Sequence, residues 1–460
     1  MAKKIYQRTE NGEIRDLDTM ADEVLKDCKE TSTEIIRVII RHMNTSLRED
    51  KKARKEMNLV IKEKDRPRSL LTALGTISFD RDYFFDKENS RYEYVLDRML
   101  GIAKYERIGA SVGAALVSQA ADTSYARASS LVTGGKVSRQ TVRDQILKMK
   151  TPEIGAEEKK RTAKELHIHA DEDHVHMQRP GKEKGKKSRI IPLVTVTEGV
   201  YEESKGRKRT IHPIHFSDED FDTKKLWRSV EGYIGMNYEP EEIKKIYIHG
   251  DGAQWIRSGL ENFSQTIHVM DGFHFYKELR KISRMLPNRN VRVALTNALR
   301  HDNRKRADEY IQELLKEPIT KKDAEKIQSF AVYLLRNWDA IRTRVTEDSI
   351  PGSCTEGQIS HVLSERFSRD PLGWSDEALG KLVMARVYRK NGGQITKEHF
   401  RKDGEIGTRY SEYADRLIEE NIKGAVDFSI FEPGMPVFDG ASGTQIVVSG
   451  LGKLKNTLFQ

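Results

Sequence analysis

Apolar positions near the start of the chain recur at helical spacing. Met20, Val24, Leu25, Ile35, Ile36, Val38, Ile39 and Ile40 predict helix from residue 17 to about 60, ending in the charged run Arg48–Glu56. The period then shortens: Gly75–Phe85 alternates as a strand does, and Asp86–Ser90 reads as a turn. From Arg107 to Met149 the helical period returns, and residues 151–163 read as a linker. Three strand patterns follow in quick succession: Leu166–Gln178, Arg189–Thr197 and Arg209–Phe216. Pro192 and Pro213 fall inside the second and third, which implies edges or bulges there. A helix carrying Phe221, Leu226, Trp227, Val230 and Ile234 leads to the strand Ile246–His249, and a further strand, Thr266–Met270, precedes Asp271. From Tyr276 to about Glu347 the pattern is helical and charged, with no strand signal. Gly392–Gln394 and the tail after Lys423 read as loops, apart from one short strand at Thr444–Ser449.

Three strands, a helix, a strand, a helix and a strand, then helices, is an order that fits an α/β core of the RNase H-like (retroviral-integrase-type) kind with an all-helical insertion. The expected organisation is a helical region with a small β-hairpin at 1–105, a helix-turn-helix region at 106–150, the α/β domain at 164–400 with its insertion at 276–347, and a tail at 401–460. In the second region Ser124–Val132 would form one helix and Thr133–Lys136 the turn. Ser138 would cap a second helix that buries Val142 and Ile146 against Val137. Arg139, Gln140 and Arg143 would then project outward, as base-reading groups do from a recognition helix. Helix pairs joined by a glycine turn also occur in ordinary cores, so the pattern reads both ways.

The chain has 460 residues and a formal net charge of +9. That length accommodates about three domains. A basic balance favours polyanionic partners, since phosphate neutralisation supplies most non-specific nucleic-acid affinity, though mixed charges that merely solvate a surface give similar totals. The turns between the strand patterns are strongly basic, with Lys182, Lys184, Lys186, Lys187 and Arg189 in one and Arg207, Lys208 and Arg209 in the other. Cys28 and Cys354 are the only cysteines, which excludes a disulfide framework and a cysteine-based zinc cluster. No run approaches the ~18 apolar residues of a membrane span, and the first residues lack the apolar core of a signal peptide. A cytoplasmic protein is expected.

The candidate chemistry lies in acids at the ends of apolar runs. Strand alternation puts Asp171 and Asp173 on one face with His167 and His169. A solvated acidic turn would also carry Asp-Glu-Asp. Here, however, the strand pattern continues through Val175 and Met177, and charge in mid-element is costly without a partner. Asp251 follows a strand by one glycine, in the carboxyl-end crevice where α/β sheets place their sites. A turn aspartate between glycines is also an ordinary structural motif. Glu356 opens the amphipathic stretch Thr355–Phe367, but Ser353-Cys-Thr-Glu356 equally matches a helix capping box. Carboxylates delivered from separate elements of a basic chain suggest a two-metal site for phosphodiester chemistry.

Together these segments resemble a family. Ala170-Asp-Glu-Asp-His-Val175, Ile248-His-Gly-Asp-Gly-Ala-Gln-Trp-Ile256, Asp271-Gly-Phe-His274 and Cys354-Thr-Glu-Gly-Gln-Ile-Ser-His361 look like DDE transposases of bacterial insertion sequences. The ISLre-two family, allied to the Mutator-like group, is the nearest in pattern, and the likeness covers nearly the whole chain. It extends to Gly75–Tyr83 and to Leu372-Gly-Trp-Ser375. The resemblance implies catalytic acids at Asp171, Asp251 and Glu356, with Asp173 competing for the first place and available as a further metal ligand. It also implies a signature at Asp271 and His274. Two Mg²⁺ (or Mn²⁺) ions would activate water, and later a DNA 3′-hydroxyl. The partners implied are double-stranded DNA, as element ends and as target, and further copies of the chain in a synaptic complex. Such a protein would be nucleoid-associated, with the basic turns lying near the DNA backbone and positioning rather than specifying.

Two other readings compete. His167-Ile-His-Ala-Asp171 nearly reproduces the H-x-H-x-D-H motif of metallo-β-lactamase-like hydrolases, but Glu172 stands where the final histidine belongs. A catalytically silent DNA-binding protein descended from a transposase is the second, and retention of all the candidate acids argues against it.

Overall fold

The structure, a computed structural model, describes residues 2–14, 16–178, 188–205, 207–347, 350, 354–370, 372–400, 410 and 412–417. The chain divides into two compact units, Met1–Gly109 with Lys402–Gln460, and Ala110–Arg401. The expected strand at 444–449 lies outside the described residues.

The first unit begins with helices α1 (Ala2–Glu10), α2 (Leu17–Glu49) and α3 (Lys51–Glu56). Asp16 caps α2 by accepting the Thr19 amide at 2.8 Å. Strands β1 (Leu59–Thr72), β2 (Gly75–Asp86) and β3 (Arg91–Glu93) form an antiparallel sheet in that order, and α4 (Val95–Met99) follows. The helix expected up to residue 60 thus stops short, and β1 pairs with β2 from Leu59↔Asp86 to Thr72↔Gly75. One face of the unit gathers Ile40, Met43, Ile77, Phe79 and Leu96. Asp82 is fully buried beside it, where the Arg48 guanidinium donates to it from 2.8 and 2.7 Å and Asn44 from 3.3 Å. A buried carboxylate is tolerable only with such donors, so this group fastens α2 to the hairpin.

The second unit opens with α5 (Ala110–Ala120), α6 (Tyr125–Thr133) and α7 (Arg139–Lys148). Gly134 and Gly135 turn between α6 and α7 at φ of 62° and 79°, a conformation that strongly favours glycine. These helices belong to the same compact unit as the sheet that follows, and not to a region ending at residue 150.

That sheet contains β4 (Glu165–His176), β5 (Ser188–Thr197), β8 (Ile214–Phe216), β9 (Lys245–Gly250) and β10 (Thr266–Met270), while β6 (Val200–Ser204) and β7 (Arg207–Thr210) form a separate ribbon. The spatial order is β10-β9-β4-β5-β8. Neighbours β4, β5 and β8 run antiparallel, and β9 and β10 run parallel to β4. The single strand expected over 209–216 is therefore two, broken at His212 (φ 47°) and Pro213. Helix α8 (Thr223–Asn237) packs Leu226, Trp227, Val230 and Ile234 against Ile168, Val194 and Ile248 on one sheet face, and α9 (Gln254–Ser258) follows β9.

The expected insertion is helical throughout: α10 (Gly272–Met285), α11 (Val291–Arg300), α12 (Arg304–Leu314), α13 (Lys321–Arg336) and α14 (Trp338–Thr346). Its own core contains Phe275, Leu295, Ile311, Phe330 and Trp338. The chain then returns through α15 (Thr355–Ile359), a π-helical turn over Ser360–Ser364, α16 (Glu365–Phe367) and α17 (Asp376–Lys390).

One buried guanidinium joins these last helices to α5. Arg386 donates to the His361 carbonyl at 2.8 Å and to that of Val362, both in the π turn. It also reaches the Ala121 carbonyl at 3.2 Å and Asp122 at 2.9 Å. Arg366 adds a bond to the Ala120 carbonyl at 2.9 Å. Carbonyls at a helix end or in a widened turn lack their own amide partners, and the arginines satisfy them. Removing the Arg386 side chain leaves several buried acceptors unpaired. Arg386→Ala is therefore expected to cost about 3 kcal/mol or more and to lower the thermal midpoint by several degrees, read by calorimetry. An unchanged midpoint would show that the carbonyls are satisfied another way.

Candidate active site

Parallel pairing of β4, β9 and β10 sets the site. His169 pairs with His249, and His249 with Val269. Asp171 lies two residues farther along β4, and Asp251 and Asp271 each lie one residue past the ends of β9 and β10, so the three acids gather at one edge of the sheet, close enough to act on one another. Sequence alternation predicted the face of Asp171 and Asp173; the register brings Asp251 and Asp271 to the same level.

Asp171 lies mid-strand opposite Leu193 and accepts the neighbouring Glu172 amide at 2.8 Å. Burial pushes its carboxyl up to about 6; Asp251 and Asp271 push the same way, against the Glu172 amide and His274. Asp251 is exposed and accepts the Ala253 amide at 2.8 Å. Gly252 (φ 86°) turns the chain beneath it, and Arg257 holds that turn by bonding the Gly252 carbonyl at 2.9 Å and Asn337 at 2.5 Å. Asp271 is buried as the N-cap of α10, accepting the His274 amide at 3.1 Å and its ring Nδ1 at 3.0 Å. That bond raises the His274 imidazole above its usual pKa, against the effect of burial.

Asp173 is placed differently. It is buried, accepts from Ser368 at 2.9 Å and from the His174 amide at 3.0 Å, and is pushed up by burial. Its engagement ties β4 to the segment after α16 and leaves Asp171 as the acid level with the other strands. Glu356 is exposed in the first turn of α15, whose N-cap is Cys354 with no side-chain cap bond. Ser353, the capping residue of the alternative motif, lies outside the described residues. No hydrogen bond or ion pair of Glu356 is found among the described residues.

What ties the start of the Glu356 helix to the sheet is His169, which the sequence offered only as a possible metal ligand. His169 meets Thr355 Oγ1 through Nδ1 at 3.2 Å and Cys354 Sγ through Nε2 at 3.2 Å. Its ring stacks on His249 at 4.4 Å, and His249 Nε2 meets His167 Nδ1 at 3.1 Å. Burial lowers His167 to about 4 and His169 to about 3, so both rings are neutral near pH 7. The period-two histidines at 167 and 169, matched by His249, were the available signal.

The basic candidates scatter. Arg139 and Gln140 are exposed at the start of α7, where Gln140 also donates to Asp144 at 3.0 Å. Arg143 pairs with Glu377 at 2.5 Å, and Arg189 with Asp376 at 2.7 Å. Arg209 pairs with Glu203 at 2.9 Å, and Arg207 and Lys208 belong to β7. Lys182, Lys184, Lys186 and Lys187 lie outside the described residues. Among the described residues, no helix is long and apolar enough to cross a membrane.

Among the described residues, no three His, Cys, Asp or Glu side chains close around one point as metal ligands do. The donor set nonetheless suits a hard cation. Asp171 and Asp251 each use one oxygen on a local amide, and a desolvated carboxylate among other carboxylates is relieved by a divalent ion.

A family model described as an uncharacterised protein family, UPF0236, matches residues 9–403. The chain belongs to UPF0236. Its relatives in that family include UPF0236 protein TTE2489 of Caldanaerobacter subterraneus subsp. tengcongensis, 34% identical over 394 residues, which cover 85% of this chain and 82% of the relative. UPF0236 protein TTE0402 of the same organism is 34% identical over 392 residues, covering 84% of this chain and 77% of its own. A third UPF0236 relative from that strain, 34% identical over 394 residues (85% of this chain, 81% of its own), has a name that joins eleven TTE designations.

The raised carboxyl of Asp171 makes stability depend on pH in a definite direction. Its proton is held more tightly in the fold than in the unfolded chain, so its favourable contribution is complete below about pH 4 and is lost as pH rises through about 6. With chelator present, Asp171→Asn should match the wild type near pH 4 and melt a few degrees higher at pH 7.5, on the order of 1–3 kcal/mol. Equal midpoints at both pH values would remove the desolvated carboxylate from the account.

Proposed function

We propose that this chain is a DDE-type transposase, binding the ends of an insertion sequence and catalysing metal-dependent strand cleavage and strand transfer. The observation that carries the reading is the gathering of Asp171 on β4 with Asp251 and Asp271 at the ends of the neighbouring parallel strands β9 and β10, with the Glu356 helix anchored to β4 through His169. The strand order β10-β9-β4-β5-β8, with three antiparallel strands followed by two parallel ones, supports an RNase H-like core. A helical insertion between β10 and α15 fits the Mutator-like allies that the sequence resembles. The eleven designations in one relative's name also favour a mobile element, since such elements leave many copies of one gene in a genome.

In this reading Asp171 and Asp251, with Glu356, hold two Mg²⁺ or Mn²⁺ ions. Bound there, such ions polarise the phosphodiester and lower the pKa of water or of a 3′-hydroxyl for in-line attack. Asp171 gives a fixed carboxylate on the strand. Asp271 bonds the His274 ring and so favours its charged form beside the acids. His169 positions the start of α15. Arg139 and Gln140 are exposed at the start of α7 and available to DNA. The hydrolase reading gains nothing from the histidines, because His167 is bonded to His249, and His169 to Cys354 and Thr355.

The test is cleavage of a duplex carrying the element end. Glu356→Gln, Asp171→Asn and Asp251→Asn should fold, bind ends and lose cleavage by about 100-fold or more, because metal positioning tolerates little displacement. Chelation should abolish wild-type cleavage, and Mg²⁺ or Mn²⁺ should restore it. Rescue by Zn²⁺ alone would sink the two-Mg²⁺ reading, and near-normal cleavage by Glu356→Gln would remove Glu356 from it.

A further inference from the structure

The helix α2 presents two unlike faces. One is packed, with Ile40, Met43, Asn44 and Leu47 buried. The other is exposed and largely apolar: Leu17, Ala21, Val24, Cys28, Thr31, Ile35, Val38 and His42 are all exposed. Leu17 and Ile35 are 77% and 55% exposed, and Leu25 and Ile39 widen the stripe at 54% and 42%. Steps of four and three residues alternate along this series from end to end, which is the heptad repeat of a coiled-coil seam. On a straight helix of 3.6 residues per turn such a repeat drifts by about 20° per heptad, and supercoiling around a partner helix keeps it on one seam. The stripe runs for roughly 37 Å at 1.5 Å per residue. Scattered exposed apolar residues are ordinary, but a registered stripe of this length marks an interaction surface.

We propose that this seam pairs with the α2 helix of a second copy of the chain, antiparallel, to form a homodimer. A heptad seam requires a partner helix with the same repeat, and an identical copy supplies one by two-fold symmetry. Charge sets the direction. Residues 17–30 carry five acids against two lysines, while residues 31–44 carry one acid against two arginines. Antiparallel packing lays the acidic half of each helix along the basic half of the other, and it also opposes the helix dipoles. A two-fold axis between residues 29 and 30 then sets Val24 against Ile35 of the partner subunit and Ala21 against Val38 of the partner subunit. The small Cys28 and Thr31 lie where the helices cross. This inference does not rest on the transposase reading.

Two measurements on the full chain test it. Light scattering on the wild type at tens of micromolar should give a dimer. Ile35→Asp combined with Val38→Asp should give a monomer with unchanged helix content, because both positions are exposed in the single chain, and its thermal midpoint should no longer rise with protein concentration as the wild type's does. For direction, Val24→Cys with Ile35→Cys in a Cys28→Ser background should form an intermolecular disulfide under mild oxidation. A wild-type monomer would overturn the proposal and point to the chain's own tail or another protein on the stripe. A dimer untouched by the two aspartates would place the interface elsewhere and overturn it too. A Cys28 disulfide in the wild type, with none in the double-cysteine chain, would overturn the antiparallel arrangement.

Discussion

The site depends on the register of three parallel strands. A slip of one residue between β4 and β9 would turn one carboxylate to the opposite sheet face, because side chains alternate along a strand. The register is held by burial on the other face, where Ile168, Val194 and Ile248 pack under α8, so the slip would also expose the core. Hydrophobic packing on one face thereby fixes the chemistry on the other. The assembly of the acids is opposed first by burial and then by their mutual repulsion, both of which raise the Asp171 carboxyl.

Around that sheet, buried polar joints hold the helices. His169 and Arg386 work in complementary ways. The imidazole fastens the start of α15 to β4, and the guanidinium fastens the π turn that follows to α5. The π turn widens the helix and frees carbonyls, which a multidentate cation can satisfy and a lysine could not. Near α17 the packing leaves no latitude: a Cβ on Gly380 would fall on the Glu219 carbonyl oxygen.

Much of the α/β core was legible in the chain, because its strands are buried on both faces and their apolar runs stand out against charged loops. The helices at 125–133 and 139–148 were legible from Ser124, Ser138 and the glycine pair. Strand β1 was not. Its stretch Lys62-Glu-Lys-Asp-Arg-Pro-Arg68 is almost wholly exposed on an edge strand, so no apolar alternation marks it, and Pro67 speaks against a strand. The three acids were visible as residues, yet their common level was not, since register is a tertiary fact. Asp171 and Asp173 looked equivalent by alternation; only Ser368, far along the chain, separates them. Helix periodicity placed Arg143 outward, but its ion pair with Glu377 was not legible because that partner is more than two hundred residues away in sequence.

Strand β4 does not end at the acids. It continues to His176, paired with β5 throughout, and beyond it the Gln178 amide bonds the Trp374 carbonyl at 2.8 Å. Asp171 is therefore clamped on both sides along its strand, while Asp251 stands at a turn and Glu356 at a helix tip. The arrangement resembles a vice with one fixed jaw. Any tightening of the carboxylates around a bound group must be travel on the Asp251 and Glu356 sides, measured against a reference that stays still. Glu356 stands on a short helix held to β4 at its start by the His169 imidazole and at its far end by the Arg386 guanidinium on the π turn, so travel on that side would be a tilt between two polar joints.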